Sequence, residues 1–374
     1  MKKLSLLVFS VVLAAIAVSC TKENTSGNTP AGIDIEVGES NTLFIMNQGA
    51  YPAGSTLDVM DILHCTYTPD FFGKVNPDVP QGLGNTGNDM VIVNGKLWVA
   101  MNASNQIAIL DLPSGKLEKI LDVVSPRYMV SDGKAVYVSS YGTAVWGGPA
   151  VKGGIYKIDY ISPRHTISLQ CMTIGYQPEG VAILDGKIYV ANSGGFNEEK
   201  DNTISVLKLA PDQTMRLEST LEMPVHNLNR LFSAGGKLWL STYDTYAADY
   251  SITESSSLGY VTADGTYTAV PNVKPSIITY VGSTLFAADG NKLWKIAAED
   301  ATVEEITLTD SAGQPFTFSN YYPYGILVNP KSGEIYIADA SFTGNSTLHC
   351  FESYGVHKWE QTTGIGTGPL LMWR

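Results

Sequence analysis

Residues 95–116 read GKLWVAMNASNQIAILDLPSGK, in which two short apolar runs, LWVA and IAIL, flank a polar gap. The glycine-containing turn NGK leads into the first run, and a second tight turn, PSGK, follows the second run. Short apolar runs that end at tight turns of this kind are typical of antiparallel β-strands. The stretch therefore predicts two adjacent strands of a small sheet.

The first of these runs has counterparts along the whole chain, at intervals of roughly 40–55 residues. Self-similarity at such a period indicates a solenoid, a propeller or an array. The seven copies are TLFIMN at Thr42, KLWVAM at Lys96, AVYVSS at Ala135, KIYVAN at Lys187, KLWLST at Lys237, TLFAAD at Thr284 and EIYIAD at Glu334.

Each copy has the same neighbours. Another apolar run precedes it across a short turn, which is often Asn-Gly or Asp-Gly and so supplies the positive φ that tight hairpins require. A third strand follows after a variable loop, and a weaker fourth strand completes the unit. The repeat predicts an all-β fold, a seven-bladed β-propeller with four antiparallel strands in each blade. Pairing of Leu370–Trp373 with Leu43–Met46 in one blade would close the ring and remove its open sheet edges.

The N-terminus predicts a lipoprotein. Residues 1–19 combine the cationic start MKK with an apolar run of roughly 15 residues, which is short of the about 20 that a membrane-spanning helix needs. The run ends at AVSC, which resembles a bacterial lipobox with Cys20 as the lipidated residue. Residues 20–38 are polar and rich in glycine, and predict a flexible tether to a propeller domain over residues 39–374. We therefore expect lipid anchoring to the outer membrane, with the domain at the cell surface.

Charge and composition exclude some functions. Removing residues 1–19, which hold two lysines and no acidic residue, takes the formal net charge from −12 to −14. So acidic a chain is not expected to bind nucleic acid, because phosphate binding needs a surplus of Lys and Arg. Cys65, Cys171 and Cys350 lie in apolar runs and are expected to be small buried residues. The histidines show no metal-ligand spacing, so no metal site and no intrinsic cofactor are predicted: His64, His165, His226, His349 and His357.

The long loops are predicted to lie on one face of the propeller. They begin at Ser139, Asn192 and Thr242, and an insertion over residues 67–89 enters the second unit. Long loops in a compact repeat are often functional, and these are rich in aromatic residues. We therefore expect a ligand-binding face there, although some of the aromatic residues could simply pack the loops together.

Two arginines are predicted to lie at the centre of that face. Arg127 and Arg230 occupy matching positions at the start of first strands, which line the central channel of a propeller. Arginine offers planar, bidentate donors and stacks on aromatic faces, but a salt bridge to Glu179 is an alternative role. The predicted ligand-binding set is Arg127, Tyr128, Tyr141, Trp146, Glu179, Phe196, Arg230, Tyr243, Tyr246 and Tyr324.

The repeat motifs DGKIYVANSGG and PEGVAIL, together with the lipobox and tether, resemble the YncE-like surface β-propeller lipoproteins of gut Bacteroides, of the DUF5074 type. The resemblance covers the whole mature domain. It implies a TonB-dependent outer-membrane transporter as partner and, as in the xenosiderophore-utilisation group, a ferric catecholate siderophore as ligand. Iron would then be present only inside the ligand. A ferric tris-catecholate is a trianion with flat rings, which arginines and aromatic side chains would suit.

The sequence also leaves other functions open. Enzymatic activity needs a bound metal or an acid–base pair, and the sequence predicts neither, so the protein is expected not to be an enzyme. Asn192, Asp289 and Asp339 end second strands and could hold Ca²⁺, but as repeat positions they are expected to brace loops. The alternatives are a glycan-binding lipoprotein of a nutrient importer, a lipoprotein that captures cobalamin or haem, and a protein-interaction scaffold.

Overall fold

The computed structural model describes residues 42–50, 54–161, 166–198, 200–320 and 323–373. The predicted signal peptide, Cys20 and the whole predicted tether, which together span residues 1–38, lie outside these ranges. Within them, no helix has both the length and the apolar character that crossing a bilayer requires.

The prediction of a seven-bladed propeller is confirmed. Seven four-stranded antiparallel sheets follow one another around an axis. From innermost to outermost strand, blade 1 contains β30 (Thr367–Met372), β1 (Thr42–Asn47), β2 (Thr56–Asp61) and β3 (Thr66–Thr68); blade 2 contains β4 (Gly87–Val93), β5 (Lys96–Met101), β6 (Gln106–Asp111) and β7 (Leu117–Asp122); blade 3 contains β8 (Pro126–Ser131), β9 (Ala135–Ser140), β10 (Lys152–Ile161) and β11 (Thr166–Tyr176); blade 4 contains β12 (Pro178–Leu184), β13 (Lys187–Asn192), β14 (Thr203–Leu209) and β15 (Met215–Glu222). Blade 5 contains β16 (Leu228–Ala234), β17 (Lys237–Thr242), β20 (Leu258–Val261) and β21 (Tyr267–Ala269); blade 6 contains β22 (Ile277–Val281), β23 (Thr284–Asp289), β24 (Lys292–Ala297) and β25 (Val303–Thr307); blade 7 contains β26 (Pro323–Val328), β27 (Ile335–Asp339), β28 (Thr347–Phe351) and β29 (His357–Thr362).

Three short elements interrupt this regular order. The strands β18 (Thr245–Tyr246) and β19 (Ile252–Glu254) form a hairpin inside the long loop of blade 5. The helix α1 (Phe71–Val75) follows β3, and the side chain of Asp70 caps its first turn by accepting a hydrogen bond from the Gly73 N–H.

Ring closure occurs as the sequence predicts. The C-terminal strand β30 pairs antiparallel with β1, with Leu43 opposite Met372, Phe44 opposite Leu371 and Ile45 opposite Leu370. Because β30 is the innermost strand of blade 1, the two ends of the domain complete one sheet.

The core consists of apolar layers between neighbouring blades, built mainly from second and third strands. All six residues of β1 and of β9 are buried, which explains why the repeat keeps these runs apolar. The first strands approach each other closely around the axis. A Cβ atom on Gly325 would lie 1.8 Å from the Gly368 carbonyl oxygen, so this position of β26 accepts only glycine.

The structure corrects two expectations. Phe71 and Phe72 of the insertion do not contribute to the loop-rich face, because α1 buries both rings between blades 1 and 2 near the β6–β7 turn. Of the three cysteines, only Cys350 is buried. Cys65 is exposed in the turn between β2 and β3, and Cys171 is exposed on β11. Both lie on outer strands or turns, where an apolar run does not guarantee burial.

Candidate functional site

A narrow cavity of about 180 Å³ lies where the first strands surround the axis. Its wall includes Asp89 on β4, Arg127 and Tyr128 on β8, and Arg230 on β16. These residues occupy the beginnings of their strands, which follow the loops between blades. The cavity is therefore the mouth of the channel on the loop-rich face, as the sequence predicts for the two arginines.

Arg127 is paired in the way that the alternative interpretation describes. Its Nε and Nη2 atoms each donate to one carboxylate oxygen of Glu179, both at 3.0 Å, and its Nη1 donates to Asn88 at 2.5 Å. The Tyr141 hydroxyl donates to the same carboxylate, and the Tyr141 ring lies 4.6 Å from the guanidinium carbon. Glu179 is 1% exposed and the Arg127 side chain 17%. This bidentate contact occupies the N–H edge of the guanidinium with which an anionic ligand would otherwise form hydrogen bonds.

Arg230 is held mainly by an aromatic ring. Its guanidinium carbon lies 4.0 Å from the centre of the Tyr128 ring and 5.5 Å from that of Phe232. Burial opposes the charged form of Arg230, but Tyr128 and then the carboxylate of Asp89 raise its pKa overall. The mouth therefore holds two guanidinium groups and two carboxylates, and its charges are nearly matched.

The acids of the mouth bind protons more readily than usual. Burial raises the pKa of Glu179, although Arg127 opposes the shift. Burial also raises the pKa of Asp89 to about 6, against the attraction of Arg230 and a hydrogen bond from the Met129 N–H at 2.7 Å. Burial likewise keeps the pKa values of Tyr141 and Tyr243 well above their ordinary range, so both phenols remain protonated donors at neutral pH.

The raised pKa of Asp89 predicts a pH dependence of stability. Since the folded-state pKa of about 6 exceeds the ordinary value of 3.8, the folded state binds this proton more tightly. This residue's contribution to stability therefore falls as the pH rises from about 4 to about 6. Asparagine does not titrate and can still accept the Met129 hydrogen bond. The free energy of unfolding of Asp89→Asn, relative to wild type, is expected to be higher at pH 7.5 than at pH 4 by about 1–3 kcal/mol.

Urea unfolding of both proteins at several pH values between 4 and 7.5 measures this difference. Parallel stability profiles for the two proteins across that range would show that Asp89 does not titrate as described.

An aromatic group extends outward from the mouth between blades 3 and 4. The rings of Tyr141 and Phe196 meet edge to face with centroids 5.1 Å apart, and Phe196 meets Trp146 in the same way at 5.8 Å. Trp146 is 78% exposed. Three of the predicted aromatic residues therefore form one continuous surface from the buried carboxylate to solvent.

A larger groove adjoins the mouth on the side of blades 5, 6 and 7. Its volume is about 770 Å³, which is within the range of small-molecule sites, and it shares Tyr243, Ser276 and Tyr324 with the mouth. Its aromatic wall is formed by Tyr243, Tyr246, Phe316, Phe318 and Tyr324. Its charged lining residues are Asp244, Asp289 and Lys274.

Several residues that line the groove could not be predicted from the repeat pattern. Phe316 and Phe318 lie in the connection between β25 and β26, in the segment QPFTF. The alternation of aromatic and polar residues in this segment is the sequence signal that could have identified them. Lys274 offers no sequence signal beyond being a lysine near a blade boundary.

The ten predicted site residues do not form one cluster. Five line the mouth, namely Arg127, Tyr128, Arg230, Tyr243 and Tyr324. Glu179 and Tyr141 contact Arg127 beside it. Trp146 and Phe196 form the outer aromatic surface, whereas Tyr246 lines the groove, which also includes Tyr243 and Tyr324. That these residues bind a ligand stays a prediction.

The ends of the second strands act mainly as braces. The Asn192 side-chain amide donates to the hydroxyls of Thr203 and Ser205, both at 3.0 Å. Asp339 accepts the Asn320 N–H at 2.7 Å. The Asp339 contact ties a loop to a strand, as expected, whereas the Asn192 contacts join β13 to β14 and Asp289 lines the groove.

Comparison with known proteins supports the fold but names no family. No protein-family model matches the chain, and no curated protein matches its sequence. Among solved structures, it is similar to a Bacteroides fragilis protein provisionally named 6-phosphogluconolactonase (TM-score 0.59, 11% identity, covering 92% of this chain and 99% of that one). It is also similar to a Lactobacillus plantarum protein (TM-score 0.56, 13% identity, 89% and 99% covered) and to apo AztD from Citrobacter koseri (TM-score 0.54, 10% identity, 88% and 96% covered). At these identities the similarity shows the β-propeller fold alone.

Proposed function

We propose that this protein is an outer-membrane surface lipoprotein that captures a small ligand and passes it to a TonB-dependent transporter. The observation that carries the proposal is the continuity of the channel mouth with the aromatic groove through Tyr243, Ser276 and Tyr324. The groove is concave and combines five aromatic residues with polar groups that could fix the orientation of a ligand. The anchor and the transporter come from the lipobox and from the resemblance to surface propeller lipoproteins.

The charge pattern favours an uncharged ligand with flat faces, such as a glycan. Each guanidinium of the mouth has a carboxylate nearby, and the groove adds Asp244 and Asp289 against the single Lys274. Carboxylates can accept hydrogen bonds from sugar hydroxyls, while tyrosine and phenylalanine rings can cover the sugar faces.

A ferric catecholate siderophore is the second ligand class. The stack of Arg230 on Tyr128 at the mouth offers a cationic and aromatic surface that suits catecholate rings. A trianion would also have to overcome Glu179, which already occupies Arg127. For the siderophore, binding should therefore depend on Arg230 rather than on Arg127.

Calorimetric titration of the full-length chain in detergent tests the proposal and separates the ligand classes. The probes are neutral oligosaccharides, ferric enterobactin, cobalamin and haem, each at low and at high salt. A glycan in the groove should bind about tenfold more weakly to Tyr246→Ala, and neither salt nor Arg230→Ala should change its affinity much. A siderophore should lose affinity with salt and with Arg230→Ala.

Tyr250→Ala is the matched control, because Tyr250 lies in the same loop as Tyr246 but is 86% exposed and does not line the groove. An equal loss of affinity in Tyr246→Ala and Tyr250→Ala would contradict a site in the groove. If none of the probes binds, capture of these ligands is overturned and a protein-interaction role becomes the better explanation.

A further inference from the structure

Three potential metal ligands come together on the outer part of blade 7, away from the channel. His349 lies on β28, and His357 and Glu360 lie on β29. His349 is directly opposite Glu360 in the sheet, so their side chains share one face. Cys350 pairs with Trp359, and a β-bulge follows, at which Phe351 pairs with His357 rather than with Lys358. The bulge turns His357 to the face of His349 and Glu360, which regular alternation along β29 would not do.

The spacing of the three groups suits a tetrahedral ion. His349 Nδ1 lies 3.3 Å from His357 Nε2 and 3.4 Å from a carboxylate oxygen of Glu360. All three ligand atoms lie within 4.8 Å of one another. A zinc ion about 2.0–2.1 Å from each ligand in tetrahedral geometry sets neighbouring ligand atoms about 3.3–3.4 Å apart. Two of the three separations therefore already have the required length.

The surroundings prepare the imidazoles for coordination. The Phe316 ring stacks on His357 at 4.8 Å with an interplanar angle of 22°, and Phe318 and Phe351 meet His349 edge-on and tilted. His349 is 1% exposed, and its Nε2 has no hydrogen-bond partner among the described residues. A proton on Nε2 would face these rings and leave the lone pair of Nδ1 directed at His357 and Glu360.

We propose that His349, His357 and Glu360 form a binding site for a divalent transition-metal ion of the zinc type. Two imidazoles and one carboxylate are a ligand set that borderline ions such as Zn²⁺ prefer over Mg²⁺ or Ca²⁺. Glu360 has a side chain that is 62% exposed, so the fourth coordination position is open to solvent. Phe316 and Phe318 separate this site from the groove, whose wall they also form. The metal site would bind its ion whether or not the groove captures a ligand.

Calorimetric titration of the full-length, untagged chain in detergent with ZnCl₂ tests the site. One saturable Zn²⁺ site per chain is expected, and an excess of Mg²⁺ or Ca²⁺ should not compete. His357→Ala and Glu360→Gln should each weaken Zn²⁺ binding at least about tenfold. Both positions are partly or largely exposed, so these variants should keep the fold, whereas His349→Ala would also remove a core side chain. Co²⁺ in place of zinc should give the visible absorption of a low-coordinate site, and His357→Ala should abolish that absorption.

His226→Ala is the matched control, because His226 lies 3.4 Å from Glu254 in an exposed pair that has no third potential ligand nearby among the residues that the structure describes. It should bind Zn²⁺ as wild type does. Absence of Zn²⁺ binding to the wild-type chain would overturn the proposal. Binding that His357→Ala and Glu360→Gln leave unchanged would also overturn it, since the ion would then lie elsewhere.

Discussion

Replacement of Glu179 by alanine is expected to lower the free energy of unfolding by about 3–5 kcal/mol. The substitution removes a carboxylate that is 1% exposed and that accepts two hydrogen bonds from Arg127 and one from Tyr141. The Arg127 guanidinium would then remain at the channel mouth without its counter-ion, and the Tyr141 hydroxyl would lose its acceptor. Leaving a charge unpaired in a nearly closed site costs far more than losing an exposed ion pair.

Chemical denaturation of the wild-type and variant proteins measures this loss. Glu218→Ala is the control, because Glu218 pairs with Lys187 and Lys208 at the surface and should change stability by less than about 1 kcal/mol. The double variant Arg127→Met with Glu179→Met should recover most of the loss, since it leaves no unpaired charge. A single variant as stable as Glu218→Ala would show that solvent in the channel already screens the pair.

The fold could be predicted from sequence because the repeat restates the same local physics in every blade. Turns such as Asn94-Gly95 and Asp185-Gly186 carry the positive φ that their residue types permit, and the apolar runs after them become buried strands. Closure of the ring could also be predicted, because a lone first strand at the C-terminus and a lone second strand at the N-terminus complete one blade.

The details of the site could be predicted only in part. Arg127 and Arg230 could be placed at the mouth from their matching positions in the repeat, because matching positions in different blades lie at the same height along the axis. Whether an arginine faces a ligand or a carboxylate depends on a residue from another blade, here Glu179 from blade 4, and on how the two side chains meet. The sequence therefore left both roles open, and the structure shows the ion pair.

The histidine cluster shows a second limit. The spacing of His349, His357 and Glu360 matches no metal motif, because the ligands lie on two strands and one bulged position decides their shared face. Sequence periodicity assigns His357 and Glu360 to opposite faces of β29. A single inserted residue reverses that assignment, and no local composition marks it.

Deletion of residues 367–374 is expected to abolish the folded monomer. The deletion removes β30, the innermost strand of blade 1, together with the buried side chains of Met372 and Trp373. The edge of β1 that now pairs with β30 would be exposed, and the axis would lose the strand whose Gly368 carbonyl packs on Gly325. Since a domain is stable by only about 5–15 kcal/mol, losing one strand of a closed ring exceeds the available margin. An unpaired edge beside apolar side chains should then drive association.

Size-exclusion chromatography with light scattering and thermal unfolding by circular dichroism measure the outcome. The truncated chain should elute as aggregate and show no cooperative transition. A peptide of residues 364–374, added during refolding, should restore a monomeric complex, because it can pair with the vacant edge of β1 as an added strand. Rescue by the peptide would distinguish loss of ring closure from a general folding defect. A truncated monomer that melts at the wild-type temperature would instead mean that the remaining strands hold the propeller without closure, and that β30 serves mainly to line the mouth.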